Sequence, residues 1–236
     1  MARQEYEIDG KGPYEGTSFE LDTVEPQEPT RQLHSGHPRK GVDEPAEEFP
    51  RKTVFPTPRT TFGWGAHKSV GEEATALGID HALVVTTGLS STDIVESVTD
   101  VLGEADVNST VYDGVTSNPK DFEVHEAYEA QQRNDADGIV AVGGGSSIDC
   151  AKAVRLVEAH DGRDITEFEG VDQAENPSNL PMVAVSTTAG TASETTVYSV
   201  ISDTDEEYKM CLADLGMLHS VAVVDPALHR TMPPHL

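Results

Sequence analysis

VAVGGGSSIDCAKAV, residues 140–154, runs an apolar segment into three glycines, two serines and a helical pattern. The run GIVAVG (138–143) predicts a strand, and the periodicity that follows predicts a helix from about Ser147 to Ala159. Gly143, Gly144 and Gly145 then form a strand-to-helix turn. Without Cβ atoms such a turn can take positive φ and let a ligand lie directly on the backbone. A helix N-terminus offers free N–H groups and partial positive charge to a phosphate. Ser146 and Ser147 add hydroxyls, and either is a candidate N-cap. The spacing matches neither G-x-G-x-x-G nor the Walker pattern. Taken by itself, it reads equally as a tight turn followed by Asp149 and Lys152 as ordinary first-turn helix residues.

Working outward, apolar runs alternate with helical patterns. Strand ALVVTT (82–87) is followed by a helix over about 92–102, then a strand near STVYDG (109–114). Next comes a helix after Pro119 with Val124, Ala127 and Tyr128 on one face and Phe122 close to it, then strand 138–143. Strands separated by helices of this length predict a parallel, doubly wound α/β sheet. Beyond the central helix, PMVAVST (181–187), TTVYSVISD (195–203), YKMCLAD (208–214) and SVAVVDP (220–226) read as strands, an additional strand-rich segment. Upstream, residues 1–52 hold six of the 14 prolines and almost no apolar periodicity, which reads as an acidic, poorly ordered extension; residues 53–236 form the folded domain. His34 and His37 read as solvated, and Phe62 and Trp64 as core.

At 236 residues and 36% hydrophobic, the chain suffices for one domain-sized core. The 42 acidic against 16 basic residues give a formal net charge of −26, which disfavours nucleic acid and anionic lipid as partners. Acidic residues spread along the chain suit a halophilic protein, where salt screens self-repulsion. Two cysteines, Cys150 and Cys211, indicate neither a disulfide framework nor a Cys-rich zinc site, and both read as small buried hydrophobes. With no apolar run of membrane-spanning length and no signal-peptide pattern at the N-terminus, the expectation is a cytoplasmic protein.

A second strand, AVST, also ends in small and hydroxylated residues: Thr187, Thr188, Gly190, Thr191 and Ser193, with one charge at Glu194. Two such corners at neighbouring strand ends predict the two sides of a cleft at the carboxyl edge of the sheet. A Thr-rich hairpin is the plainer alternative.

GGGSSIDCAKAV, STTAGTASETT, VISDTDEEYKM and VAVVDPALHRTMPPHL, in that order and with ALVVTT and YDGVTSNP upstream, resemble the N-terminal half of the iron-containing (group III) alcohol dehydrogenases over roughly residues 53–236. The resemblance implies a Rossmann-like dinucleotide-binding domain for NAD or NADP and an alcohol or aldehyde substrate. It implies that Gly144, Gly145 and Ser146, with Ser147 beside them, meet the pyrophosphate, and that Asp149 lies near the nicotinamide end. Asn118 would lie near a phosphate or ribose. Thr187, Thr188 and Thr191 would line the adenine and ribose side, Val200 and Lys209 would touch the ribose region, and Leu228 would pack near the adenosine. Glycerol-1-phosphate dehydrogenase and dehydroquinate synthase share the glycine turn but fit TTAGTASE less well. A non-catalytic dinucleotide-binding subunit is the alternative of another class.

Two departures qualify the resemblance. NAD-preferring members often carry Asp at the end of the first strand, where this sequence has Thr87, then Gly88, Ser90 and Ser91; the lost charge predicts relaxed or NADP-leaning selectivity. The family's divalent iron (or zinc) is held by Asp and His of a helical C-terminal domain, beyond the segment matching MPPHL, and the sequence stops at Leu236. No motif moves those ligands to His219, His229 or His235, so the chain is expected to supply the cofactor-binding half, as a fragment, as half of a split enzyme completed by another polypeptide, or as a nucleotide binder without turnover; the expected assembly is a homo-oligomer or a pairing with a separate helical metal-binding domain.

Overall fold

The computed structural model describes residues 5–7, 18–20, 57–90, 92–230 and 232. His34, His37, His235, Ser91 and most of the 1–52 extension lie outside the described residues. Two compact units emerge, Met1–Thr53 and Val54–Leu236. Within the first, β1 (Glu5–Glu7) pairs antiparallel with β2 (Ser18–Glu20).

The second unit runs β3 (Arg59–Phe62), α1 (Val70–Ala76), β4 (His81–Thr86), α2 (Asp93–Glu104), β5 (Asn108–Tyr112), α3 (Asp121–Arg133), β6 (Gly138–Gly143) and α4 (Gly145–Glu158). It continues with β7 (Gly170–Val171), β8 (Met182–Ser186), β9 (Tyr198–Asp203), β10 (Tyr208–Ala213) and β11 (Val221–Val224). Six strands form one sheet in the order β3-β11-β8-β6-β4-β5, and every neighbouring pair is parallel. This is the doubly wound α/β architecture that the alternation of elements predicts. The strand-rich segment builds a separate three-stranded sheet, β7-β10-β9.

The central strands β4, β6 and β8 are apolar along almost their whole length because both faces are covered. Alternate side chains point to opposite faces, so the sheet divides the core into two layers. Leu83, Val85, Ile139, Ala141, Met182 and Ala184 pack on one side with residues of α3 and α4. Val84, Val140, Val142, Val183, Val185 and Val223 pack on the other with residues of α1 and α2.

Several local expectations are corrected. Phe62 is 74% and Trp64 52% exposed, because β3 is an edge strand and its last residues leave the sheet. Phe122 sits on the solvent side of the first turn of α3, so Val124 and Ala127 carry that buried face without it. Cys150 is buried, but Cys211 points outward from β10. The helix after the glycines starts earlier than expected, with Gly144 rather than a serine at the N-cap. Among the described residues no helix is long and apolar enough to cross a membrane.

Candidate functional site: a groove at the carboxyl edge of the sheet

The chain passes from β4 out to β5 and then back across to β6, so the winding direction reverses between β4 and β6. Open α/β sheets bind ligands in the crevice outside the carboxyl ends at such a switch point. Here that crevice is a cleft of about 420 Å³. Thr87 after β4, Gly144, Gly145 and Ser146 after β6, Thr187, Thr188 and Thr191 after β8, and Leu228 after β11 all line it. An adjoining cleft of about 360 Å³ shares Gly145, Ser146 and Thr191 and adds Asn118, Asp149, Val200 and Lys209. Of the residues singled out from the sequence, Ser147 alone lies beneath the groove. It is fully buried and its hydroxyl hydrogen-bonds the Thr87 Oγ1 at 2.8 Å, which fixes the end of β4 against the start of α4.

The three glycines answer to packing as well as to any ligand. Gly143 has φ of 150°, and a Cβ there would lie 2.3 Å from the Ser147 Oγ. A Cβ on Gly144 would lie 2.7 Å from the Thr188 Oγ1, and one on Gly145 would lie 3.0 Å from the Thr191 Cγ2. The bare backbone therefore lets the corner after β8 close onto the corner after β6, and the Thr187 N–H donates to the Gly143 carbonyl at 2.9 Å across the join. α4 has 14 residues, no side chain caps its N-terminus and no acid stands in its first turn. Its leading N–H groups open onto the groove, as an anion site requires.

Asp149 and Lys152, one turn apart, share the face of α4 that meets β9. Asp149 accepts from the Val200 N–H at 3.0 Å through Oδ2, and its own carbonyl accepts from the Ser199 hydroxyl at 2.9 Å. Lys152, with no exposed surface, donates from Nζ to the Tyr198 carbonyl at 2.8 Å and lies 4.0 Å from the Asp149 Oδ1. One turn further, Arg155 donates to the carbonyls of Leu180 at 2.7 Å and Met217 at 3.0 Å. The reading of Asp149 and Lys152 as ordinary helix residues is thus corrected: they fasten the three-stranded sheet to the glycine-turn helix. Burial pushes the Lys152 ammonium down to about 8 against the pull of Asp149 and Glu194, and raises the Asp149 carboxyl despite the nearby Lys152. His219 donates from Nε2 to the Glu194 carbonyl at 2.6 Å, and burial together with the Lys152 charge pushes it down to about 3.

Across the mouth of the second cleft, Asn118 in a left-handed conformation (φ 56°) donates from its N–H to the Ser146 Oγ at 3.3 Å. Its Oδ1 accepts from the Lys209 Nζ at 2.7 Å, which accounts for that lysine on an otherwise acidic chain. Sequence reasoning missed Leu89, Ile94 and Met232 on the apolar wall, and Ser202 and Tyr198 in the adjoining cleft. Only their tertiary position distinguishes them from other loop and strand residues. Among the described residues no group of three or more His, Cys, Asp or Glu is arranged to hold a metal ion. The residues described do not fit the family's metal. His229 instead hydrogen-bonds the Asp225 carbonyl through Nδ1 at 2.9 Å.

A parallel sheet with a glycine turn and an uncapped helix start at its switch point defines a Rossmann-like α/β domain. Residues 56–226 match the family "Iron-containing alcohol dehydrogenase", and the chain belongs to it. It is 43% identical over 196 residues to the methanol:N,N-dimethyl-4-nitrosoaniline oxidoreductase of Amycolatopsis methanolica, covering 81% of this chain and 46% of that protein. It is 40% identical over 175 residues to the NAD-dependent methanol dehydrogenase of Bacillus methanolicus, covering 74% of this chain and 45% of that protein. A crystal structure of 1,3-propanediol oxidoreductase superimposes with a TM-score of 0.74 at 37% identity, over 78% of this chain and 48% of that one. The chain thus spans about half the length of the relatives it matches. These relatives do not favour the glycerol-1-phosphate dehydrogenase alternative.

Proposed function

We propose that this chain is the coenzyme-binding part of an NAD(P)-dependent alcohol dehydrogenase, acting in hydride transfer between a nicotinamide coenzyme and a small alcohol or aldehyde. The observation that carries the reading is the pair of corners, Gly143–Ser146 and Thr187–Thr191, packed against each other at the switch point with the open N-terminus of α4 between them. The bound coenzyme would supply the hydride acceptor or donor. The Gly145 and Ser146 N–H groups would bind the diphosphate, and Ser146 and Asn118 would add polar contacts to it. Thr187, Thr188 and Leu228 would bound the adenosine end. Asp149, Val200 and Lys209 would bound the nicotinamide-ribose end, where Asp149, held by Val200, has its Oδ1 without a hydrogen-bond partner.

The metal of the family, and the pocket for the alcohol, would come from a helical domain of the kind the family carries, either in a longer form of the chain or on a partner polypeptide. Residues 1–52 would serve as an extension outside this machinery. The charge of −26 supports a cytoplasm rich in salt as the working environment. The test is titration of NADH into the purified chain at high salt, followed by the change in nicotinamide fluorescence, with circular dichroism to verify folding. Saturable binding with one coenzyme per chain is the expected result, and a folded chain with no saturable binding of NADH or NADPH would refute the reading.

A further inference from the structure

Thr87, which lines the groove just after β4, carries no charge, which by itself leaves the coenzyme's adenosine ribose without the carboxylate that usually receives its 2′-OH. The fold brings one from the next strand. Thr87 pairs with Gly114 through an isolated antiparallel bridge, which folds the segment after β5 alongside the segment after β4. Asp113 immediately precedes that bridge. Its exposed carboxylate accepts from the Ser90 hydroxyl at 2.5 Å through Oδ2, while its Oδ1 has no hydrogen-bond partner among the described residues. Among the described residues it makes no salt bridge either.

We infer that Asp113, oriented by Ser90, is the residue that selects NAD over NADP at this site. The inference rests on the coenzyme-binding reading above and deepens it. A carboxylate with one oxygen occupied and one open suits a vicinal ribose hydroxyl, which donates, and opposes a 2′-phosphate, which brings further negative charge and only acceptors. Ser90 has already committed its proton to Asp113 and does not offer it to a phosphate. The cationic residues nearest to Asp113 in the sequence are Lys68 on one side and Lys120 on the other, and the Lys120 ammonium is occupied by Thr116 and by the carbonyls of Ser117 and Asn118. The lost aspartate at position 87 is therefore replaced in space rather than in sequence, and the NADP-leaning selectivity expected from Thr87 gives way to NAD.

The experiment compares NADH and NADPH dissociation constants for the unaltered chain, Asp113→Asn and Ser90→Ala, at one salt concentration at which circular dichroism shows all three folded. The unaltered chain is expected to bind NADH at least about tenfold more tightly than NADPH, the scale that one charged contact near a surface produces. Asp113→Asn should bring the ratio to within about threefold, chiefly by tighter NADPH binding, and Ser90→Ala should move it part of the way. A ratio unchanged by Asp113→Asn, or a preference of the unaltered chain for NADPH, overturns the inference while leaving coenzyme binding intact. Failure of the folded, unaltered chain to bind either coenzyme overturns the parent reading and this one with it.

Discussion

Lys152 and Tyr198 are joined by a 2.8 Å hydrogen bond from a fully buried ammonium to a main-chain carbonyl. This bond, with the Asp149–Val200 contact one turn earlier, ties the helix that follows the glycine turn to the sheet that forms the second half of the groove. Removing the lysine should strand both the carbonyl and the Asp149 carboxylate. Lys152→Met is expected to lower stability by about 3 kcal/mol, the scale for breaking a buried ionic pair. Urea unfolding at high salt measures this, and Lys152→Arg should recover part of it. A loss below about 1 kcal/mol would mean that the fastening is supplied by packing instead.

Gly144 and Thr188 approach closely enough that a methyl group on the glycine has no room. Gly144→Ala should cost about 1–3 kcal/mol in stability by overpacking and weaken NADH binding by at least about tenfold, roughly 1.4 kcal/mol. Adding Thr188→Ala removes the opposing Oγ1 and Cγ2, so the double variant should regain much of the stability. Additivity of the two effects would show that the clash lies elsewhere.

His219 is held neutral, pushed down to about 3, whereas in the unfolded chain it titrates near its ordinary value. Below about pH 6.5 the unfolded state binds a proton that the native state refuses. Native stability therefore falls with decreasing pH, by up to about 1.4 kcal/mol per pH unit, until the native value is reached. Asp149 acts in the opposite direction, since its raised carboxyl takes up a proton in the native state first. His219→Gln keeps a donor for the Glu194 carbonyl and removes the titration. Unfolding free energies from urea titrations at pH 7 and pH 5 should differ by about 2 kcal/mol less in the variant than in the unaltered chain; equal differences would assign the acid sensitivity to other groups.

The charge of −26 predicts that transfer from concentrated to dilute salt reduces the helical circular dichroism signal and the melting temperature, because the screening length grows well beyond the spacing of surface carboxylates. An unchanged melting curve in dilute salt would remove the halophilic reading.

The parts of this fold that were legible in the sequence are those fixed by burial on both sides. GIVAVG (138–143) is a strand with the expected limits because an unbroken apolar run bounded by glycines suits a strand covered on two faces. β9 starts at Tyr198 rather than Thr195, because Ala192 takes a left-handed conformation and Ser193–Thr195 coil into a 3₁₀ turn, a choice made by the close approach of the glycine corner. Asp149, Lys152 and Arg155 look on paper like one charged, solvent-facing stripe of a helix. Only the carbonyls of Tyr198, Leu180 and Met217, distant in sequence, explain why that stripe is buried. Exposed Phe62 and Trp64 were unreadable for the converse reason: an aromatic at a sheet edge has the same sequence signature as one inside. The groove residues came from the order and chemistry of their motifs; Asp113 lies in one of those motifs, YDGVTSNP, but its contact with Ser90 follows only from β4 and β5 being neighbours.

Cys150 and Cys211 are the chain's two thiols, and they differ in one decisive respect. Cys150 is sealed in the core with its thiol pushed upward by burial, while Cys211 stands on the open face of β10, two residues from Lys209 and opposite Val200. A maleimide dye should therefore attach at one position of the native molecule without any engineering. Its emission would then report filling and emptying of the adjoining cleft in real time.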